Sequence, residues 1–172
     1  MDTSTDKLET SHYDITLDHV SFGYDKRQVI HDISLNIPEH TTCAIVGPSG
    51  SGKTTLCNLI ARFWDVQDGA VRIGGKDVKN YTADSILEHI SMVFQNVYLF
   101  HDSIENNIKF VKPDATHEEV EAAAKRACCH DFISALPDGY NTIIGEGGST
   151  LSGGEKQRIS IARAILKDAP II

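Results

Sequence analysis

Apolar and polar residues alternate in the first part of the chain. The segments ITLDHVSF and VIHDISLNI are rich in β-branched and aromatic residues, and in the second of them Ile33, Leu35 and Ile37 alternate with other positions. This period of two predicts two half-buried strands. A short apolar run at 41–46, TTCAIV, is bounded by a glycine and is predicted as a buried strand.

The spacing of apolar residues then changes to that of a helix. Leu56, Leu59, Ile60 and Phe63 follow the i, i+3, i+4, i+7 pattern, which predicts a helix after the apolar run. The segment AVRIGG predicts a strand that ends in a Gly-Gly turn, and residues 90–94 predict a further strand.

Helical patterns dominate the second half of the chain. Apolar residues from Val120 to Ala127 mark one helix face, and Thr116 with Glu119 has the spacing of a capping box at its start. The segment ISIARAIL belongs to a last predicted helix. Strands that alternate with helices and then give way to a helical insert indicate the α/β class with appended elements.

Composition limits the classes of function. The chain has 172 residues and a formal net charge of −8, which argues against a broad nucleic-acid surface. No apolar run reaches the roughly 18 residues that span a bilayer. Residues 1–12 are polar, lack the apolar core of a signal peptide and are predicted as a flexible linker. Reduced thiols are predicted for Cys43, Cys57, Cys128 and Cys129, which form no CxxC motif.

One glycine-rich segment carries a phosphate-binding motif. GPSGSGKTT, residues 47–55, fits the pattern G-x-x-x-x-G-K-[ST] and lies between the predicted buried strand and the first predicted helix. Its glycines allow successive N–H groups to point into one concavity at a helix N-terminus. The candidate ATP-binding residues here are Gly47, Pro48, Ser49, Gly50, Ser51, Gly52, Lys53, Thr54 and Thr55.

A second glycine-rich segment, LSGGEKQR, opens the last predicted helix. Ser152, Gly153 and Gly154 offer a hydroxyl and unhindered N–H groups at a helix N-terminus, where an anion is stabilised. Glu155 has capping-box spacing from Ser152, so we predict that it bonds back to the Ser152 backbone and has a structural role. If the two motifs lie on different faces of the domain, one chain cannot bring both to the same triphosphate. Two chains arranged head to tail can do so, because each supplies one motif to each site.

Together the two motifs make the chain resemble the nucleotide-binding domain of ABC transporters. The resemblance implies a P-loop NTPase (RecA-like) core with an antiparallel β subdomain and a helical subdomain at about 96–165, in a domain that covers 13–172. In that family the signature motif contacts the ATP held by the partner subunit. This implies such a contact for Ser152, Gly153, Gly154 and Glu155, where the family usually has Gln at the last position.

Further segments match the family in order. VSFGY resembles the A-loop, whose aromatic residue stacks on adenine, which implies this role for Tyr24. MVFQ resembles the Q-loop, so Gln95 would contact Mg²⁺ or the attacking water. NVYLFHDSIENNI and IGEGG are similar to exporter segments, and Glu146 in the second would face a transmembrane coupling helix. Lys53 and Gln95 are thus the implied catalytic residues, Thr54 and Gln95 the implied Mg²⁺ ligands, and ATP and Mg²⁺ the cofactors.

Part of the family's hydrolytic machinery is not among the 172 residues. The Walker B Asp-Glu pair, the D-loop and the switch histidine would follow the final residues, KDAPII. Because phosphoryl transfer depends on metal-mediated charge stabilisation and a positioned water, a domain incomplete at its C-terminus is expected to bind ATP with severely impaired turnover.

The resemblance implies ATP-driven transmembrane export on the cytoplasmic face of a membrane. The implied partners are a second nucleotide-binding domain, in a homo- or heterodimer, and the transmembrane domains of an exporter. Alternatives are a truncated ATP-binding module without turnover, a soluble ABC ATPase outside transport, and a P-loop kinase. The second motif and Tyr24 disfavour the kinase.

Overall fold

The computed structural model of this chain describes residues 5–25, 27–148 and 150–172, which fall into two units, Met1–Ile90 and Ser91–Ile172. The first unit contains the antiparallel sheet and the P-loop. The second unit contains most of the helices and the LSGGEKQR motif. Each unit has its own apolar interior.

The first unit is built on a four-stranded antiparallel sheet in the order β2-β1-β3-β4. Its strands are β1 (Ile15–Tyr24), β2 (Arg27–Ile37), β3 (Asp68–Ile73) and β4 (Lys76–Asp77). Ile15 of β1 lies opposite Ile37 of β2 on one side and Ile73 of β3 on the other. The predicted strands at 15–22, 29–37 and 70–73 are therefore confirmed.

A bulge separates two paired stretches of β1 and β3. The register shifts between Asp18 and Ser21 of β1, opposite Gly69. Gly69 has a φ of 77°, and a Cβ there would lie 2.3 Å from the carbonyl oxygens of Asp18 and His19. Only glycine permits this close approach of the two backbones.

Two α-helices accompany the sheet, α1 (Lys53–Ile60) and α2 (Ala83–Glu88), with a 3₁₀ turn at Val78–Asn80. Leu56, Leu59 and Ile60 are buried, which confirms the predicted apolar face of α1. Phe63 was expected on the same face, but the helix ends before it, where Arg62 takes a φ of 54°. Phe63 is consequently outside the helix and 42% exposed.

The second unit is helical. It contains α3 (Ile104–Lys109), α4 (His117–Arg126), α5 (His130–Ser134) and α6 (Gly153–Lys167), with 3₁₀ turns at Gly139–Asn141 and Glu146–Gly148. The predicted capping box of α4 is present, since Thr116 and Glu119 bond reciprocally. The interior includes Leu99, Ile104, Ile108, Val120, Ala124, Ile133, Ile144, Ile159 and Ala162. Among the described residues, no helix combines the length and the apolar character needed to cross a membrane.

The cysteines are free thiols, and burial separates one of them from the others. Cys43, Cys57 and Cys128 are exposed, whereas Cys129 is buried in the helical interior. Desolvation raises the pKa of Cys129 to about 11, which disfavours its reactive thiolate.

Two predicted strands are wrong. Residues 41–46 have no regular secondary structure, and Val46 is 87% exposed. Residues 91–94 also lack strand structure, although Ser91 donates a hydrogen bond to the carbonyl of Ile171 (2.8 Å). A short apolar run forms a strand only where a neighbouring strand satisfies its backbone groups, and no strand among the described residues pairs with 41–46.

The residues before β1 make specific contacts with the first unit. Leu8 is buried, its N–H donates to Ser85 Oγ (3.1 Å), and its carbonyl lies 3.0 Å from His89 Nε2. The carbonyl of Asp6 accepts from the Thr82 N–H (2.9 Å). The linker boundary at residue 12 stays a prediction, but the described part of this segment is anchored to α2 and its start.

Candidate functional site

The P-loop ends where helix α1 begins. Gly52 caps the helix in a left-handed conformation, with a φ of 90°. A Cβ at this position would lie 2.8 Å from Ile30 Cδ1 on β2, so glycine is needed both for the dihedral angle and for the packing. The first N–H groups of a helix have no acceptor within the helix, so those at the start of α1 are available to a phosphate at this loop.

Lys53 folds back over the loop. Its Nζ donates to the carbonyl oxygens of Gly47 (2.9 Å) and Pro48 (2.8 Å). The ammonium group is therefore held at the loop, and both hydrogen bonds can be exchanged for bonds to a phosphate. Residues 47–51 are exposed, so a ligand has access from solvent.

The two threonines after Lys53 face different surroundings. Thr54 is exposed, which leaves it accessible to a ligand or metal ion. Thr55 is buried, and its Oγ1 accepts a hydrogen bond from the Tyr24 hydroxyl (3.4 Å). The structure thus brings the predicted adenine-binding tyrosine to the same helix that carries the P-loop lysine.

Tyr24 is at the end of β1 and is 38% exposed. Its ring is perpendicular to two other rings, Phe22 at 5.0 Å and Trp64 at 5.5 Å between centroids. Sequence reasoning identified Tyr24 but missed Trp64, which is distant along the chain and belongs to no motif.

The LSGGEKQR motif forms the N-terminus of α6, as predicted. Ser152 is the N-cap, and its N–H donates to Glu155 Oε2 (2.8 Å). Its hydroxyl donates to the same oxygen (2.7 Å) and accepts from the Glu155 N–H (3.4 Å). The capping-box role of Glu155 is confirmed. The hydrogen bond from the Ser152 side chain, followed by that from its backbone, lowers the pKa of the Glu155 carboxyl.

The glycines of this motif are not required by the fold of the described residues. A Cβ on Gly153 would meet no atom within 4 Å, and one on Gly154 would lie 3.6 Å from an Arg158 nitrogen. Neither residue has a left-handed backbone. Ser152, Gly153 and Gly154 are all exposed. Small residues with open space in front of a helix N-terminus leave room for a close external ligand.

The remaining predicted residues are in the second unit. Gln95 is exposed, directly after Phe94, whose carbonyl accepts from Gln157 Nε2 of α6 (3.4 Å). The predicted coupling role of Glu146 concerns a side chain that lies outside the described residues. The adjacent carbonyl of Gly147 accepts from Lys156 Nζ (2.9 Å), so this loop is tied to the first turns of α6.

The profile of the family described as ABC transporter (ABC_tran) matches residues 30–172. The chain belongs to the ABC transporter family. It is homologous to ABC exporters, and the family's ATP-binding domain accounts for both glycine-rich motifs. The family also accounts for the antiparallel sheet and the helical unit.

Three similar proteins illustrate the relation. An ATP-dependent lipid A-core flippase from Desulfotalea psychrophila is 51% identical over 153 residues, which cover 89% of this chain and 27% of the flippase. The β-(1→2)glucan export ATP-binding/permease protein NdvA from Brucella suis is 50% identical over 160 residues, which cover 92% of this chain and 27% of NdvA.

The third is a solved structure of a bacterial Atm1-family ABC exporter with ATP bound. It superimposes with a TM-score of 0.93 at 43% identity, over 96% of this chain and 30% of the exporter chain. This chain therefore spans a little under a third of the length of these ABC exporters.

A second residue that sequence reasoning missed is Arg163 of α6. Its Nη1 donates to the carbonyl of Tyr98 (2.9 Å) and its Nη2 to Asn107 Oδ1 (2.8 Å). The guanidinium also lies 5.7 Å from the centroid of the Phe100 ring. In this ABC domain the helix that begins at the signature motif is thereby fastened to the segment that follows Gln95. Only the three-dimensional contacts reveal this link.

Proposed function

We propose that this chain binds ATP at its P-loop and that the complete domain hydrolyses ATP to power transmembrane export. The observation that supports this most directly is the Lys53 side chain, which is turned onto the loop carbonyls at the start of α1. Lys53 would contact the β- and γ-phosphates, while the N–H groups of 47–55 enclose the phosphate chain. Tyr24 would stack on adenine.

The side chains of Thr54 and Gln95 carry a hydroxyl and an amide oxygen, which are hard ligands of the kind that Mg²⁺ prefers. Thr54 and Gln95 are both exposed and would hold the ion, which supplies charge neutralisation for phosphoryl transfer when it is bound. Lys53 and Gln95 would act on the phosphates and the attacking water. The 172 residues alone are expected to turn ATP over poorly, since the Walker B carboxylates are not among them.

The second phosphate-binding motif would complete a site on another subunit. Ser152, Gly153 and Gly154, all exposed, would contact the γ-phosphate bound by a partner's P-loop. The partner is a second nucleotide-binding domain placed head to tail. The pair would act with exporter transmembrane domains on the cytoplasmic face of the membrane, where Glu146 would face a coupling helix.

Lys53→Ala tests the ATP site. Loss of a charge-assisted contact to phosphate costs about 1.5–3 kcal/mol, so ATP affinity measured by titration calorimetry should fall roughly ten- to a hundredfold. Lys125→Ala, which removes an exposed lysine of α4 paired with Glu121, is the matched control and should leave ATP affinity unchanged. Equal ATP affinity in both variants would contradict the proposed site.

A further inference from the structure

Three aromatic rings meet where β1 ends. Phe22 is buried, Tyr24 is 38% exposed and Trp64 is 52% exposed. The Tyr24 ring is perpendicular to both neighbours, at 88° to Phe22 and 87° to Trp64. Edge-to-face contacts on two sides, together with the hydroxyl bond to Thr55, leave the Tyr24 ring little freedom to rotate.

The backbone beside Tyr24 is held by the same segment that supplies Trp64. The Gly23 N–H donates to Gln67 Oε1 (3.0 Å), and Gln67 Nε2 donates back to the Gly23 carbonyl (3.1 Å). The Gln67 N–H also donates to the carbonyl of Ser21 (3.1 Å). Segment 64–67 therefore contacts the Tyr24 ring through Trp64 and the backbone of the preceding residue, Gly23, through Gln67.

Gly23 allows β1 to approach β2 closely beside Tyr24. A Cβ there would lie 2.4 Å from the carbonyl oxygen of Arg27 and 2.7 Å from Gln28 Cα, on the neighbouring strand. The Gly23 backbone is thus packed closely against β2. Its N–H and carbonyl groups are both hydrogen-bonded to the Gln67 side-chain amide. Both constraints act on the position of one partly exposed ring.

We propose that segment 64–67 positions Tyr24, with Trp64 fixing the plane of its ring and Gln67 fixing its backbone, so that the tyrosine is preformed to receive the purine base of a nucleotide. This inference rests on the proposed stacking of adenine on Tyr24. Trp64 and Gln67 are positioning residues, because they act through Tyr24. Preorganisation of this kind raises affinity by lowering the ordering cost of binding.

Removing the Trp64 ring should lower affinity only for a ligand that carries a base. Trp64→Ala removes one ring contact, so ATP affinity should fall roughly three- to tenfold, while affinity for inorganic tripolyphosphate, which has no base, should not change. Gln67→Met keeps the side-chain length but removes both hydrogen bonds to Gly23. It should also lower ATP affinity without changing affinity for tripolyphosphate. Trp64→Phe keeps an aromatic ring and should largely restore ATP affinity.

A double-mutant cycle with Tyr24→Ala shows whether Trp64 acts through the tyrosine. Tyr24→Ala alone should weaken ATP binding by roughly tenfold, and adding Trp64→Ala should weaken it no further. Tyr98→Ala, which removes an exposed ring from a pair in the second unit, is the matched control. It should leave affinity for both ligands unchanged.

The outcomes separate the inference from the function on which it rests. If Tyr24→Ala left ATP affinity unchanged, the proposed stacking would be wrong, and the positioning role would be wrong with it. If Tyr24→Ala weakened ATP binding but Trp64→Ala did not, only the positioning role would be overturned. Parallel losses for ATP and tripolyphosphate in Trp64→Ala, or additive losses in the double variant, would also overturn it.

Discussion

At the scale of single residues, Glu155 shows that a side chain of the signature motif caps the helix that the motif opens. Its carboxylate accepts both the N–H and the hydroxyl of Ser152 at the first turn of α6. The family usually has Gln here, and Gln can make the same reciprocal bond. The difference between Glu and Gln should therefore be one of charge at a helix N-terminus.

That charge predicts a dependence on pH. The pKa of Glu155 is lowered in the folded chain, so its contribution to stability is present above the ordinary carboxyl pKa and is lost as pH falls through the lowered value. Glu155→Gln should cost about 0.3–1 kcal/mol at pH 7, because a negative charge interacts favourably with the helix dipole. In urea unfolding, the free energies of unfolding of the two proteins should converge as pH falls below the ordinary carboxyl pKa.

A matched change is available in α4. Glu119→Gln alters the capping box that Glu119 forms with Thr116, in a helix without a proposed ligand. If Glu155→Gln changed ATP-driven pairing strongly, with stability unaltered and Glu119→Gln without effect, the structural role of Glu155 would be refuted.

At the scale of elements, strands and helices with strong local patterns could be predicted from sequence. β1 and β2 follow from alternation, and α4 and α6 from apolar spacing with capping boxes. The prediction of a strand at 41–46 was wrong because an apolar run does not show whether another strand is available to pair with it. The burial of Leu8 could not be predicted, because a single apolar residue in a polar segment shows no periodic pattern.

The N-terminal segment gives an element-scale prediction. Leu8→Ala should destabilise the first unit by about 2–4 kcal/mol, because it leaves a cavity under a buried side chain. Hydrogen exchange should rise at the amide of position 8, which donates to Ser85 Oγ, and at the amide of Thr82, which donates to the carbonyl of Asp6. Unchanged exchange at both amides would show that the segment is a free linker.

Arg163 gives a second prediction at the scale of elements. Its guanidinium bonds Asn107, which is almost fully buried, and the carbonyl of Tyr98. Arg163→Lys keeps the charge but loses the planar set of donors, and should destabilise the second unit by about 1–3 kcal/mol in denaturant unfolding. Exposed Arg126→Lys on α4 is the control, with an expected change within about 0.5 kcal/mol. Equal stability of the two variants would contradict the fastening role.

At the scale of the whole molecule, the candidate site was predictable only in part. The P-loop and the signature motif could be found in the sequence because each is contiguous and its chemistry needs glycine at fixed spacing. The contacts that orient Tyr24 could not, because Trp64 and Gln67 reach it through the fold. The two motifs of one chain are proposed to serve sites that are shared between two chains.

Mixing two variants tests whether the sites are shared. Lys53→Ala impairs only the P-loop, and Ser152→Arg places a bulky cation only at the signature motif. In a head-to-tail pair of the two variants, one shared site contains both defects and the other contains none. Neither variant alone should form dimers with Mg-ATP in sedimentation velocity, and the equimolar mixture should form them. Dimers of Ser152→Arg alone, or no dimers in the mixture while the unmodified chain forms them, would contradict the shared site.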